Sequence, residues 1–143
     1  MAVRIRLRLR RGGLAREVVA LVNSGYEADT PQLLVPVSLA RELELWPPGP
    51  SALEATFETA GGPLRVWIYR RAVRAQVVAE GASSDEVEAD IVVSQLADEP
   101  LISDKLAGAL SIAVEDFAEG LWRFRWEPVE RTRRSEPRRP WGA

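Results

Sequence analysis

An all-β fold with one or two short helices is predicted by the sequence, on three observations. The chain opens with strict alternation of apolar and charged residues, carries a glycine-rich hairpin signal near its middle, and elsewhere shows Val-, Ile- and aromatic-rich runs between turn residues. Its 143 residues, 46% hydrophobic and 28% charged, suit one domain with its own core. We place that domain at residues 1–127 and expect a flexible, Arg- and Pro-rich tail at 128–143.

The start of the chain predicts a pair of antiparallel strands. Residues 3–10 alternate strictly, which is typical of a half-buried strand with an arginine outer face. The dipeptide Gly12-Gly13 predicts a tight turn, and residues 14–22 return as a second strand that becomes wholly apolar at its end. Because an apolar strand leads into the Asn-Ser-Gly loop, we expect that loop to enter the protein, where a site could form.

The rest of the domain predicts short helices and further strands. Residues 37–45 have helical spacing, with Ser38 as the expected N-cap, and a proline-rich stretch ends this helix. A second short helix is expected near residues 103–110, capped by Asp104. Strands are predicted at 52–59, 64–79, 87–96 and 111–126, the first two joined by a glycine-tipped turn.

The residue types that are missing exclude several classes of enzyme. The chain has no His and no Cys, so Ser-His-Asp and Cys-His nucleophiles are excluded, as are zinc sites built on imidazole or thiolate. Its 21 Asp and Glu residues leave carboxylate chemistry open, beside an oxygen-ligand metal site, Lys105 or Tyr chemistry, or none. Without a membrane-length apolar stretch or a leader, we expect a cytoplasmic protein with no membrane partner.

Three segments occur in a fixed order along the chain. They are the loop at 20–25 (ALVNSG) with the Pro-then-helix segment at 33–43 behind it, the hairpin tip at 59–62 (TAGG), and residues 100–112 (PLISDKLAGALSI). Together they resemble the retropepsin-like, retroviral-type aspartic peptidases of bacterial and archaeal type. The segments are similar to that family's apolar-apolar-Asp-Thr/Ser-Gly loop, its flap, and its Leu-Ile-Gly segment with the following helix. The resemblance covers residues 3–127.

The resemblance implies a fold and a function. The fold would be a closed β-barrel subunit with a flap, and two copies would form a homodimer with one active site on the two-fold axis. In such a site a carboxylate pair shares one proton and activates a water that hydrolyses a peptide bond of an extended substrate. No metal or organic cofactor is implied.

The same resemblance assigns roles to individual residues. Residue 23 takes the catalytic position, while Ser24 and Gly25 shape the loop, with the Ser24 hydroxyl bracing the two loops across the dimer axis. The flap residues that would cover the substrate are Ala60, Gly61 and Gly62. The loop would be supported from behind by Ile102 and Ser103.

Three departures from the family pattern bear on activity. Asn23 stands in place of the Asp, Ser103 in place of a Gly, and the stretch at 26–32 is longer than the usual connection. Two facing amides have no charge and no proton to exchange, so the chain as written is expected to be inactive or nearly so. An engineered Asp→Asn change, a natural pseudoenzyme that binds peptides, and regeneration of Asp by deamidation all stay open; we favour the first.

Two other functions are compatible with parts of the sequence. A non-catalytic peptide-binding or dimerisation module of the same fold differs only in the natural identity of residue 23. A nucleic-acid-binding β-barrel could use the arginines at positions 4, 6, 8 and 10 and the tail, but aromatic residues accompany arginines only where Trp67 and Tyr69 precede Arg70-Arg71. We therefore do not expect a nucleic-acid partner.

Overall fold

A computed structural model describes residues 2–141, and these residues are mostly β with short helices, as the sequence predicts. No helix among them is long and apolar enough to cross a membrane. The elements in chain order are β1 (Arg4–Arg11), β2 (Leu14–Val22), β3 (Gln32–Pro36), α1 (Val37–Glu42), β4 (Leu53–Thr59), β5 (Gly62–Ala79), β6 (Ala82–Ser83), β7 (Val87–Ser94), β8 (Leu101–Ile102), α2 (Asp104–Ala109), β9 (Ile112–Asp116), β10 (Leu121–Phe124) and β11 (Arg133–Arg134).

One large sheet holds most of the strands, in the order β1-β2-β8-β3-β7-β5-β4. The predicted β1–β2 hairpin is confirmed: the strands are antiparallel, and Gly12 in the turn has a φ of 55°, which favours glycine. The opposite edge of β1 pairs with β5, where Leu7 lies opposite Val77. Strands β9, β10 and β11 form a separate small sheet.

The two-residue strand β8 lies between β2 and β3. It runs parallel to β2, with Val22 opposite Ile102, and antiparallel to β3, with Leu33 opposite Ile102. Strand β3 is in turn parallel to β7. This arrangement brings the end of β2 and its Asn-Ser-Gly loop next to the segment that leads into α2.

The hairpin of β4 and β5 turns at Ala60-Gly61, and Gly62 has a φ of 108°. Strand β5 is 18 residues long, and its register with β7 shifts between Tyr69 and Val73, where the strand bends. The first half of β5 therefore belongs to the hairpin and the second half to the body of the sheet. Most hairpin side chains beyond Val66 are exposed or half-buried.

Two apolar clusters form the interior. The main core takes the inward face of β1, as the alternation predicts, because Val3, Ile5, Leu7 and Leu9 are all buried. The second cluster lies where the hairpin meets the sheet. Its buried members and the half-buried side chains packed on them are Leu34, Val66, Ile68, Val92, Tyr26, Ala55, Phe57, Leu64, Ala97 and Leu101.

The helix caps differ from the prediction. Helix α1 follows Pro36 without a side-chain cap, and the Ser38 hydroxyl is buried with no hydrogen-bond partner among the described residues. The Oγ of Ser103, not Asp104, caps α2 by accepting from the backbone N of Leu106 at 3.2 Å. The physical reason is backbone geometry: Ser103 has the extended conformation of an N-cap, whereas Asp104 already lies in the first helical turn.

Residues 128–141, for which the composition predicts a flexible tail, contact the body of the domain at several points. The backbone N of Glu136 donates to the Arg4 carbonyl at 2.8 Å, and that of Trp141 donates to the Asp98 carbonyl at 2.7 Å. Arg138 pairs with both Asp98 and the buried Glu99. Composition did not reveal these contacts because the carboxylates and backbone groups that receive the segment are distant in sequence.

Candidate active site

The Asn23 loop follows directly from β2 and is held by backbone hydrogen bonds. The backbone N of Asn23 donates to the Ile102 carbonyl at 3.2 Å, and its carbonyl accepts from the backbone N of Tyr26 at 3.0 Å. The Asn23 Oδ1 accepts from the backbone N of Gly25 at 3.0 Å, which fixes the orientation of the side chain. Asn23 is half-buried, whereas Ser24 and Gly25 are exposed, so the loop lies at the surface and the expectation that it enters the protein is wrong.

Ser103 supports the region behind the loop. It is fully buried, its backbone N donates to the Gln32 carbonyl at 3.1 Å, and its Oγ accepts from the backbone N of Gln32 at 3.0 Å. The same Oγ caps α2 through Leu106. The Ser103 hydroxyl is therefore an acceptor for two buried backbone donors.

The long connection after Gly25 is tied down at both ends. The backbone N of Asp104 donates to the Tyr26 carbonyl at 2.9 Å, and Asp104 Oδ1 accepts from the backbone N of Ala28 at 3.1 Å. The Tyr26 hydroxyl donates to Gln32 Oε1 at 2.8 Å. Burial, followed by the nearby Asp90 charge, raises the pKa of Tyr26 well above its ordinary value, so this phenol keeps its proton. Two acids of the connection, Glu27 and Asp29, are exposed.

The hairpin tip carries the predicted flap residues. Ala60 and Gly61 are exposed and Gly62 is half-buried. The Thr59 hydroxyl donates to the Gly62 carbonyl at 2.6 Å and accepts from the backbone N of Gly61 at 3.2 Å. Tyr26 from the loop and side chains of both hairpin strands belong to the same apolar cluster, so the loop and the hairpin share one partly open apolar surface.

Two buried carboxylates were not singled out from the sequence. Asp90 is 3% exposed on β7, and Glu99 is 6% exposed just before β8. The available signal for Asp90 was a lone acid that opens the apolar run Ile91-Val92-Val93. Among residues 2–141, no group of three or more acidic side chains is arranged to hold a metal ion.

One cavity lies away from the loop. It has a volume of 660 Å³ and is bounded by the end of β5 and by residues 127–136. Its wall contains Arg133, whose guanidinium is engaged by Glu127. Neither Asn23 nor the hairpin tip contributes to it.

The arginine face of β1 is largely paired with acids of the same chain. Arg4 contacts Glu99 at 2.9 Å and Arg6 contacts Glu136 at 3.0 Å. Arg10 lies 3.5 Å from Glu86. The side chains of Trp67 and Tyr69 are buried, so they offer no exposed face on which a base could stack. These contacts do not favour the nucleic-acid alternative.

Comparison with known proteins adds no family assignment. No protein-family model matches the chain. No curated protein matches it either. The function is therefore inferred from the geometry around Asn23.

Proposed function

We propose that this chain is one subunit of a homodimeric, retropepsin-like aspartic endopeptidase, disabled as written by Asn23. One observation carries the proposal: the Asn-Ser-Gly loop leaves β2 and rests on β8, which is wedged parallel to β2 and antiparallel to β3. A short internal strand placed behind a loop of this sequence is what the family resemblance requires. The pairing of β1 with both β2 and β5 supports a closed barrel.

A homodimer supplies the second half of the site. The exposure of Ser24 and Gly25 leaves the loop accessible to a partner subunit. Two copies of residue 23 meeting on a two-fold axis would be about 3 Å apart, and a carboxylate pair at that distance holds a single proton. The Gly25 N–H, already 3.0 Å from Oδ1 of Asn23, would donate to an ionised Asp there. An amide accepts that bond but cannot take a proton from water.

The substrate is proposed to be an extended peptide held between the loop and the hairpin. Strand β4 is the edge of the large sheet, so the hairpin has backbone groups available for an added strand. The half-buried side chains of the second apolar cluster, such as Tyr26, Phe57 and Leu64, would contact substrate side chains.

The decisive experiment compares the chain as written with its Asn23→Asp variant. A broad peptide mixture is incubated between about pH 3 and 7, where a proton-sharing carboxylate pair works, and the products are read by mass spectrometry. Gln95→Glu is the matched control, because it makes the same amide-to-acid change at an exposed turn residue. We expect cleavage only by Asn23→Asp, with activity lost on dilution.

Other outcomes point elsewhere. Equal cleavage by the chain as written and by Asn23→Asp would remove residue 23 from the catalytic role. Absence of cleavage by a folded Asn23→Asp dimer would favour the second candidate, a peptide-binding module in which Asn23 is native. The observation that favours this candidate is Asn23 itself, whose side chain is already well held by Gly25.

A further inference from the structure

Asp90 is a buried carboxylate on β7 for which the proposed chemistry has no use. It is 3% exposed, so it must find hydrogen-bond partners within the protein. Its Oδ2 accepts from the Thr30 hydroxyl at 2.6 Å and lies 3.6 Å from the Arg70 guanidinium. Its Oδ1 accepts from the backbone N of Arg71 at 2.8 Å. The partners belong to two different parts of the molecule.

One part is the bend of β5 at the foot of the hairpin. The β5–β7 register shifts between Tyr69 and Val73, and Arg71 within the shift has a φ of 46°, a left-handed conformation that costs a non-glycine residue energy. The bond from the Arg71 backbone to Asp90 holds that conformation. Asp90 therefore fixes the point from which the hairpin extends.

The other part is the connection that follows Gly25. Thr30 uses its hydroxyl proton on Asp90, so its oxygen accepts from Gln32 Nε2 at 3.2 Å. The amide oxygen of Gln32 then accepts from the Tyr26 hydroxyl at 2.8 Å. Each group donates towards Asp90, and the carboxylate, which only accepts, ends the series. Because the pKa of Tyr26 is raised, its hydroxyl keeps its proton and remains the first donor of the series.

We infer that Asp90 is a positioning residue that couples the hairpin to the Asn23 loop through Thr30, Gln32 and Tyr26. Opening of the hairpin at its foot changes the Arg71–Asp90 bond, and Thr30 passes that change to the loop. As a statement about catalysis this rests on the proposed function; as a statement about mechanical coupling it does not. The coupling sets the separation between the substrate held by the hairpin and the group at position 23.

The coupling is tested first on the chain as written, by amide hydrogen exchange. Thr30→Val keeps the side-chain shape and removes the hydroxyl, and Thr132→Val makes the same change at an exposed residue outside the network. We expect Thr30→Val to speed exchange roughly tenfold at both 26–32 and 53–71, as loss of a bond to a charged group would. Thr30→Ser, which restores the hydroxyl, is expected to restore protection. Faster exchange confined to 26–32 overturns the coupling.

The catalytic consequence is tested in the Asn23→Asp background. Adding Thr30→Val is expected to lower kcat about tenfold while KM changes less than about threefold, because orientation is lost and ground-state binding is kept. Adding Thr30→Ser is expected to recover kcat. A kcat loss that Thr30→Ser leaves unrecovered overturns the positioning role. If Asn23→Asp itself cleaves nothing, the proposed function fails, and hydrogen exchange alone still decides the coupling.

Discussion

Single buried side chains hold the backbone around the Asn23 loop in place, and Ser103 is the clearest case. Its Oγ accepts from the backbone N of both Gln32 and Leu106, and all of it is buried. We expect Ser103→Ala to lower the free energy of unfolding by about 2 kcal/mol, because two backbone donors lose their acceptor. Chemical denaturation measures this change.

Ser38 supplies the matched control. Its hydroxyl is buried with no partner among residues 2–141, so Ser38→Ala removes an unsatisfied group and is expected to leave stability unchanged or slightly higher. Equal losses for the two variants would contradict the assigned roles. The sequence predicted Ser38 as a helix cap and did not predict Ser103 as one. Helical spacing locates a helix but does not show which residue precedes it in an extended conformation.

Buried polar contacts at this scale could not be predicted from the sequence. Asp90 lies 60 positions from Thr30 and 19 from Arg71, so no local pattern connects them. The start of a loop at Asn23 was predictable, because the apolar strand at 14–22 leads directly into Asn-Ser-Gly. Its support by the backbone of Ile102 is a geometry that only the fold supplies.

At the scale of elements, the bend of β5 sets the direction of the hairpin. Arg71 has a φ of 46°, so Arg71→Gly relieves left-handed strain. The free energy of unfolding of this variant is expected to be unchanged or higher by up to about 0.5 kcal/mol. Arg74 lies in the regular part of the same strand, and Arg74→Gly is expected to lower it by about 1 kcal/mol. Thermal or urea unfolding compares the pair; a larger loss for Arg71→Gly would contradict the strain argument.

The ion pair between Glu127 and Arg133, which links β10 to β11, is expected to make the stability of the fold depend on pH. Bonds from Arg133 hold the pKa of Glu127 below its ordinary value, with a further contribution from the backbone N of Phe124. A carboxylate with a depressed pKa stabilises the fold above its unfolded pKa, and that contribution is lost as the pH falls through the folded pKa.

The measurement is unfolding of a Glu127→Gln variant across pH. The variant should be less stable than the parent at pH 7, and the difference should disappear in acid, well below the ordinary pKa of 4.5. The exposed Glu130 gives the control, since Glu130→Gln is expected to change nothing. If the parent and the variant differed in stability by the same amount at every pH, the contact with Arg133 would not depend on the charge of Glu127.

Most elements were predictable because their signals are local. Alternation and apolar runs located β1, β2, the hairpin strands and β7 to within about two residues. Strand β8 was not predictable from the sequence, because it has only two residues. They form a strand only because they pair with β2 on one side and β3 on the other. The expected β segment at 111–126 is divided into β9 and β10 by a turn at 117–120. Asp116 Oδ1 accepts from the backbone N of Glu119 and Gly120 has a φ of 69°, so the turn signal was present in the sequence and was missed.

For the whole molecule, the proposal requires a dimer. Ser24 is exposed at the tip of the loop, and the resemblance gives its hydroxyl a bond across the two-fold axis. Ser24→Ala would remove two symmetry-related bonds and raise the dimer dissociation constant at least roughly tenfold, as about 1 kcal/mol per bond implies. Sedimentation measures it, with the exposed Ser83→Ala on β6 as control. A monomer at every concentration would contradict the dimer.

The contact between Arg4 and the segment at 135–136 has a consequence for biosynthesis. Arg4 donates its backbone N–H to the Ser135 hydroxyl and accepts from the backbone N of Glu136, so part of β1 is completed by residues made 131 positions later. While the ribosome is still translating, this strand has an unsatisfied edge that can pair with other nascent chains. The Arg4 end of β1 is therefore completed late in synthesis, after β2 to β11 have been made.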